Sequence, residues 1–281
     1  NSFLFFRKQD TLYQKYLSES NPCNSVMGLF GRIKKNLNKV ASDFNYKYES
    51  LHSLGKYEEA IACCDEAIEL DPKHYLAWLN KGNSLIKLGK NEEAIACYDE
   101  VIRLDPEYHS AWINKGTILD ALGKYEEAIA CYDEVIRFWP EFYIAWTSKG
   151  KTLVSLGKSE EAIACYDKVI MFEDPLHSES ALYEKGRVLH DQEKYEEAIV
   201  CYDEAIRLHN PVAFTTVDPY FTWMNKSHAL HSLGKYEETI ACYDEIIQWN
   251  PEHLDVWVNK GKTLDLLKRY EEALACYDEA I

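Results

Sequence analysis

The chain has 281 residues, of which 47% are apolar and 13% are aromatic. This composition supplies a packed core and excludes intrinsic disorder. The formal net charge of −16 is concentrated after residue 40, because residues 1–40 carry seven basic side chains against two acidic ones. An acidic body of this kind repels a phosphate backbone, so nucleic acid is excluded as a partner. The sequence has no apolar run near the ~18 residues that cross a bilayer, and no transmembrane segment is predicted.

Residues 1–40 are predicted to form a basic helical segment. Its apolar side chains recur at helical spacing, with arginine and lysine elsewhere around the helix: Val26, Phe30, Ile33, Leu37 and Val40. The stripe continues in phase through Phe44, Tyr48 and Leu51, which favours a cap packed on the start of the elements that follow. Contact of residues 26–40 with a membrane surface or a partner is the alternative.

From residue 41 onward the sequence repeats itself with a period of 34 residues. Tryptophans mark this interval at Trp78, Trp112 and Trp146, and again at Trp223 and Trp257. In residues 75–108, one amphipathic segment runs from about Ala77 to Leu88 and a second from about Glu92 to Leu104, with Gly89 between them. Pro106 follows the second segment and ends it, because proline cannot donate the next helical hydrogen bond. Each unit is therefore predicted to be a helical hairpin.

These residues resemble the tetratricopeptide repeat (TPR) family, whose characteristic registers are filled by Trp78, Gly82, Gly89, Asn91, Ala94, Tyr98 and Pro106. Only Asn91 departs from the pattern, and Tyr125 fills that register one repeat later. The resemblance implies an all-α fold, an α-solenoid of stacked hairpins in a right-handed superhelix, with first helices lining a concave groove. The predicted units are 41–74, 75–108, 109–142, 143–178, 179–219, 220–253 and 254–281.

Three units depart from the regular pattern. The fourth carries two extra residues around Asp174. The fifth carries seven extra residues between His209 and Tyr220, with Leu182 in place of tryptophan and Glu193 in place of the turn glycine. The insertion contains the apolar residues Val212, Phe214 and Val217, which fit packing on the solenoid edge or contact with a partner. The last unit shows no polar capping helix, so we expect either further repeats after it or self-association.

Seven cysteines occupy one register of the repeat: Cys63, Cys97, Cys131, Cys165, Cys201, Cys242 and Cys276. Packed helices lie ~8–10 Å apart, whereas a disulfide requires Cα atoms within about 7 Å. The pattern therefore predicts free thiols and a reducing, cytoplasmic compartment.

Two charged registers are predicted to be structural. Glutamate pairs such as Glu58-Glu59 begin each second helix, where they complement the helix dipole; adjacent residues point apart and cannot share a proton. Lysine recurs in all seven first helices, where its stem covers apolar surface and its ammonium meets the acidic second helices: Lys47, Lys81, Lys115, Lys149, Lys185, Lys226 and Lys260.

The sequence contains no phosphate-binding glycine loop, no Cys-x2-Cys spacing and no nucleophile with a base at a recognisable spacing. We therefore predict no enzyme within these residues, no cofactor and no metal. His228 and His231 lie three residues apart on one helical face, near His190 of the preceding unit. Contact with a bound partner is a commoner role for such histidines than metal binding.

The family resemblance implies that the first helices present a groove for another protein, bound as an extended peptide or short helix. Asn80, Asn114, Asn225 and Asn259 share one register, interrupted by Ser148 and Glu184. Amides donate to and accept from a peptide backbone, although asparagine also suits a solvated helix start. The other predicted groove residues, apolar early and aromatic and weakly basic later, are Leu76, Leu79, Asn83, Ile113, Thr117, Ile144, Lys151, Tyr183, Arg187, Phe221, Met224, His228 and His231.

The two-carboxylate clamp by which some family members hold chaperone tails is not matched. Leu79 replaces its first lysine, while Ile144 and Ser148 replace its basic pair. The sequence therefore predicts an interaction scaffold or adaptor for a different polypeptide. The alternative is a substrate-recruiting module of a larger enzyme or bacterial effector whose catalytic part lies outside this chain.

Overall fold

The computed structural model describes residues 44–172, 174–209 and 218–281. Within these residues the fold is all-α, as predicted, with fourteen helices and no strand. In chain order the helices are α1 (44–53), α2 (Tyr57–Leu70), α3 (Tyr75–Lys87), α4 (Asn91–Leu104), α5 (His109–Ala121), α6 (Tyr125–Phe138), α7 (Tyr143–Ser155), α8 (Ser159–Ile170), α9 (Pro175–Asp191), α10 (Tyr195–Leu208), α11 (Pro219–Ser232), α12 (Tyr236–Trp249), α13 (Leu254–Leu266) and α14 (Tyr270–Glu279). The predicted cap, residues 1–40, and the insertion residues Val212, Phe214 and Val217 lie outside the described residues.

The described helices form two compact units. The first unit ends at Tyr108 and contains the hairpins α1/α2 and α3/α4. The second unit, His109–Ile281, contains five hairpins, and each of its helices packs on the next helix along the chain. Its first helices also contact one another, α5 with α7, α7 with α9 and α9 with α11. These four first helices therefore lie side by side within the second unit.

Each hairpin is closed by a large side chain packed against a small one. A Cβ atom at Gly150 of α7 would lie 2.7 Å from Cε1 of Tyr166 on α8, which is closer than real Cβ contacts allow. Tyr166 is buried, with Leu153 and Val169 in the same core cluster. The same contact, at 2.5–2.8 Å, occurs in the pairs Gly82–Tyr98, Gly116–Tyr132, Gly186–Tyr202 and Gly261–Tyr277. Only glycine lets the helices of these hairpins approach so closely.

The first hairpin reverses the sizes of the two residues. Here the first helix supplies Tyr48 and the second helix supplies Cys64, and both are buried together with Ala60. In the sixth hairpin Ser227 replaces glycine opposite Tyr243, and its Oγ donates a 2.7 Å hydrogen bond to the backbone oxygen of Met224. One large and one small residue therefore meet at the crossing, whichever helix carries the large one.

A lysine of the first helix ties its hairpin to the preceding one. Lys149 Nζ lies 2.6 Å from Oδ1 of Asp133 on α6 and 5.9 Å from the ring centroid of Trp146. The same ion pair, at 2.5–2.7 Å, joins Lys81–Asp65 in the first unit and Lys185–Asp167, Lys226–Asp203 and Lys260–Asp244 in the second. The predicted meeting of these lysines with the acidic second helices is confirmed for these five residues.

In the regular units the tryptophan of the first helix bonds to the proline turn before it. Trp146 Nε1 donates to the Pro140 carbonyl at 2.7 Å, and equivalent bonds of 3.1 Å join Trp78 to Pro72 and Trp257 to Pro251. This bond sets where each hairpin begins relative to the preceding second helix.

The fifth unit uses its proline differently. Pro175 is the first residue of α9, and the Asp174 carboxylate caps this helix by accepting from the Leu176 amide at 3.1 Å. Proline is favoured at this position because its fixed φ suits the helix and its missing N–H would be unpaired there. α9 consequently has 17 residues and begins before the predicted unit start at residue 179. Leu182 occupies the register that tryptophan fills in the regular units. The proline of this unit, Pro175, lies within α9, so its carbonyl is part of the helix and not of a preceding turn.

Five of the hairpin turns contain glycine in the left-handed region, with φ between 72° and 77°: Gly55, Gly89, Gly123, Gly157 and Gly234. Glu193 and Lys268 occupy the same turn position with φ of 60° and 62°. A side chain in this region costs roughly 1–2 kcal/mol. The fifth and seventh hairpins therefore contain a locally strained turn.

We expect Gly150→Ala to lower the stability of the chain. Alanine favours a helix over glycine by about 1 kcal/mol, but overpacking a tight core costs about 1–3 kcal/mol, and here the new methyl group meets the Tyr166 ring. The check is the midpoint of urea unfolding. Ser155→Ala, on an exposed position of the same helix, should leave the midpoint unchanged or slightly higher. A midpoint for Gly150→Ala equal to that of the parent would contradict the close approach.

We expect Glu193→Gly to stabilise the chain by about 0.5–1 kcal/mol, because relief of the left-handed strain exceeds the entropy that glycine adds to the unfolded chain. The converse substitution Gly157→Glu, in a turn of the same kind, should destabilise it. Thermal unfolding of both variants measures the two effects, and a loss of stability in Glu193→Gly would show that the Glu193 side chain has a favourable role in the turn.

Candidate binding face on the first helices

In the first unit, the predicted groove residues are largely engaged within the fold. Leu79 is 8% exposed and belongs to the core, and its place in a binding groove stays a prediction. Asn83 Oδ1 accepts a 2.7 Å hydrogen bond from the Tyr98 hydroxyl, which links α3 to α4. Leu76 and Asn80 are partly buried, and Asn80 lines a small gap beside Tyr48.

In the second unit, Met224 is also a core residue, and its place in the groove stays a prediction. It is 8% exposed and packs with Tyr243 and Ile246 of its own hairpin and with Val256 of the next. Neighbouring side chains cover Leu79 and Met224, whereas Tyr183 in the same register is only partly buried. Of the other predicted groove residues, Thr117, Lys151, Arg187, Phe221, His228 and His231 are exposed, and Ile113, Asn114, Ile144, Tyr183, Asn225 and Asn259 are partly buried.

Glu184 links the faces of α7 and α9. Its carboxylate lies 3.1 Å from Lys151 Nζ and 3.1 Å from Arg187 Nη1, and its side chain is only 14% exposed. Two cations thus share one carboxylate and leave this part of the face with a net positive charge. Glu184 was not among the predicted groove residues. The signal for it was an acidic residue in a register that carries asparagine in four other units.

α9 and α11 form an aromatic and amide surface. Asn225 Nδ2 donates to the Tyr183 hydroxyl across the two helices at 3.3 Å, and the Arg187 guanidinium lies 5.9 Å from the Tyr183 ring centroid. Burial raises the pKa of Tyr183, so its hydroxyl stays protonated. Phe221 is 52% exposed, with its ring edge-on to Tyr220 at 5.2 Å. A large apolar ring is therefore open beside groups that form hydrogen bonds.

Three histidines lie at one end of this surface. The side chain of His228 is accessible, but desolvation by the surrounding groups lowers its pKa, and the nearby His190 and His231 lower it further. His190 and His231 each pack edge-on against a tyrosine at the start of the following second helix, Tyr195 and Tyr236. In the part of the chain that the structure describes, no three His, Cys, Asp or Glu side chains are grouped to hold a metal ion.

The sequence matches the family described as tetratricopeptide repeat over most of its length. The matched segments are 50–109, 79–141, 113–178, 180–209, 222–253 and 254–281. The chain belongs to the tetratricopeptide repeat family. The resemblance read from its residues is thereby confirmed, whereas comparison with curated protein sequences finds no match.

Solved TPR structures resemble the fold. The type IV pilus biogenesis factor PilW is 19% identical over 76% of this chain and 94% of its own, with a TM-score of 0.61. A TPR protein from Parabacteroides merdae is 16% identical over 86% of this chain and 92% of its own, also with a TM-score of 0.61. YrrB, a TPR protein with an unusual peptide-binding site, is 19% identical over 69% and 95% of the two chains, with a TM-score of 0.52. At these identities the likeness concerns the fold alone.

The cysteines of this TPR chain are free and buried at all eight described positions, which confirms the predicted thiols. Burial raises the pKa of Cys64 to about 12 and that of Cys97, Cys165 and Cys242 to about 11. These thiols are therefore protonated near neutral pH and are weak nucleophiles. None of the described helices is both long enough and apolar enough to cross a membrane.

We expect His228 to make the stability of the TPR chain depend on pH. Its folded pKa lies below the ordinary value of about 6.5, so the unfolded chain binds more protons in the window below that value. Stability is therefore lost as pH falls through this window, and His228→Gln should lose less than the parent between about pH 7.5 and about pH 5.5. Urea unfolding at the two pH values measures the difference.

Ser232→Ala is the control for this comparison, since it changes an exposed residue of the same helix and removes no titrating group. It should retain the pH dependence of the parent. Equal losses of stability in the parent and in His228→Gln would contradict the lowered pKa.

Proposed function

We propose that this TPR chain is a protein-interaction scaffold that binds an extended polypeptide across α9 and α11, on the first-helix face of its second unit. The observation that carries the proposal is the exposed ring of Phe221 beside the Tyr183–Asn225 hydrogen bond. An exposed aromatic side chain flanked by polar groups is typical of an interaction surface.

The chemistry of this face suits a peptide. Phe221 offers an apolar anchor, and the partly buried amides of Asn225 and Asn259 can donate to and accept from a peptide backbone. Arg187 shares its carboxylate partner with Lys151, so it retains donors for a carbonyl or carboxylate of the ligand. The preferred segment therefore has an apolar residue close to an oxygen-rich one.

Two further observations support a scaffold. The TPR fold presents surfaces rather than catalytic centres as a rule, and YrrB shares the fold and is described by its peptide-binding site. Eight free, buried thiols suit a reducing compartment, and we include a cytoplasmic location in the proposal on that ground.

A short peptide selected from a displayed random library with the intact chain should bind the double variant Phe221→Ala with Arg187→Gln at least about tenfold more weakly, or ~1.4 kcal/mol. The apolar anchor and a charged donor are then both lost. Isothermal titration calorimetry with the selected peptide measures the change.

The matched control is Val200→Ala with Arg207→Gln, which removes an exposed apolar residue and an arginine from the second helix α10. It should bind the peptide like the parent. If the Phe221 and Arg187 double variant retains full affinity, or if the control loses as much, the peptide binds elsewhere and the proposal is wrong.

A further inference from the structure

A cavity of about 170 Å³ lies where the sixth hairpin meets the following turn. It is bounded by the start of α11, the end of α12 and the residues before α13. Four aromatic rings and two carboxylates line it: Tyr220, Trp223, Trp249, His253, Asp218 and Glu245. Of the residues that the structure describes, neither lysine nor arginine lines this cavity, although basic residues are frequent elsewhere in the repeats.

Its aromatic walls are held in place by the fold. Tyr220 stacks on His253 with ring centroids 4.4 Å apart, and the Tyr220 hydroxyl donates to Asp255 Oδ2 at 2.6 Å. The indole of Trp249 is 61% exposed and forms the open side. An apolar ring of this size at the surface gains little from burial within the hairpin and is free to contact a ligand.

The other second helices show what is missing here. In α4, α6 and α10 an arginine pairs with the glutamate three residues before it: Arg103–Glu100, Arg137–Glu134 and Arg207–Glu204. In α12 the corresponding residues are Gln248 and Glu245, and no ion pair among the described residues includes Glu245. The carboxylate is therefore present without its cation.

The ring that would accompany this cation is also present. In α6, the Arg137 guanidinium lies 4.0 Å from the ring centroid of Phe138 and also pairs with Glu134. α12 has Trp249 at the position of Phe138, and tryptophan is the strongest cation-binding ring. In α6 a glutamate and an aromatic ring together hold a guanidinium. In α12 the corresponding groups, Glu245 and Trp249, hold no guanidinium from the described residues.

The nearby basic side chains Lys226 and His209 contact carboxylates outside the cavity. Lys226 Nζ lies 4.9 Å from the Trp223 ring centroid but pairs with Asp203 at 2.6 Å. His209 lies edge-on to Trp249 at 5.8 Å, and its Nδ1 is 2.8 Å from the Glu179 carboxylate. The carboxylates of the cavity therefore lack a basic partner within the described residues.

We propose that this cavity binds the guanidinium group of an arginine side chain on the bound polypeptide. A planar guanidinium can stack on the Trp249 indole while its N–H groups donate to Glu245 and Asp218. The cavity adjoins Phe221 through the edge-on contact of Tyr220, so an arginine of a peptide on the α9–α11 face can reach it. The source of the arginine rests on the proposed function, whereas the recognition of a guanidinium does not.

The test uses the full ¹⁵N-labelled chain and the probe Nα-acetyl-arginine methylamide. The indole N–H signals of Trp223 and Trp249, assigned from single tryptophan-to-phenylalanine variants, should shift in a saturable manner with a millimolar dissociation constant. Nα-acetyl-norleucine methylamide has a similar stem and no charge, and it should leave these signals in place. Equal shifts with the two probes, or no shift with arginine, would overturn the proposal.

Gln248→Arg supplies the guanidinium from within the chain, as Arg137 does in α6. Because Gln248 is exposed, the variant should fold, and it should weaken binding of the arginine probe at least about tenfold by occupying Glu245 and Trp249. The matched control Arg137→Gln, at the same position of α6, should leave probe binding at the cavity unchanged. Unchanged binding in Gln248→Arg would overturn the assignment.

These measurements need no partner polypeptide. If the groove variants leave peptide affinity intact, the proposed function fails while the arginine probe still shifts Trp249. If the probe does not bind, the cavity assignment fails while the selected peptide can still bind the α9–α11 face.

Discussion

In five of the seven hairpins, a close contact between a glycine of the first helix and a tyrosine of the second determines how the two helices pack. It brings the two backbones to a distance at which a Cβ atom would collide with the ring, and the neighbouring small and aliphatic side chains are buried around it. The first hairpin reverses the two sizes with Tyr48 and Cys64 and preserves the same crossing. Since every hairpin is closed in nearly the same way, the faces that they offer to their neighbours are similar, and stacking can repeat.

The units differ from one another mainly at the connections between hairpins. A regular connection combines a proline turn, an indole hydrogen bond and a lysine–aspartate pair. In the fifth unit proline enters the helix, Leu182 replaces tryptophan, and Glu179 with His209 occupies the place that aromatic pairs such as Tyr75–Tyr108 fill elsewhere. The candidate face includes Tyr183 on α9 of this irregular unit, and the cavity lined by Tyr220 and Trp249 lies in the next hairpin.

The candidate face and the cavity illustrate two ways in which the charged side chains of one unit differ from those of the other units. On α7 and α9 the carboxylate of Glu184 pairs with two cations, Lys151 and Arg187. In α12 a cation is absent, since Gln248 stands where α4, α6 and α10 carry the arginine that pairs with their glutamate. Single-residue departures from the repeat pattern therefore alter the charge and exposure of side chains while the helical backbone stays the same.

The sequence alone was sufficient for the hairpins, their turns, the buried cysteines and the structural lysines, because each depends on contacts at a fixed spacing within one or two repeats. It also indicated the registers of the candidate face. That face and the self-association of the last hairpin stay predictions. It could not show that Leu79 and Met224 are buried, since their cover comes from neighbouring helices whose approach is set by packing. Nor could it place Glu245, Trp249 and Tyr220 around one cavity, because these residues come from two helices and meet only when the hairpin closes.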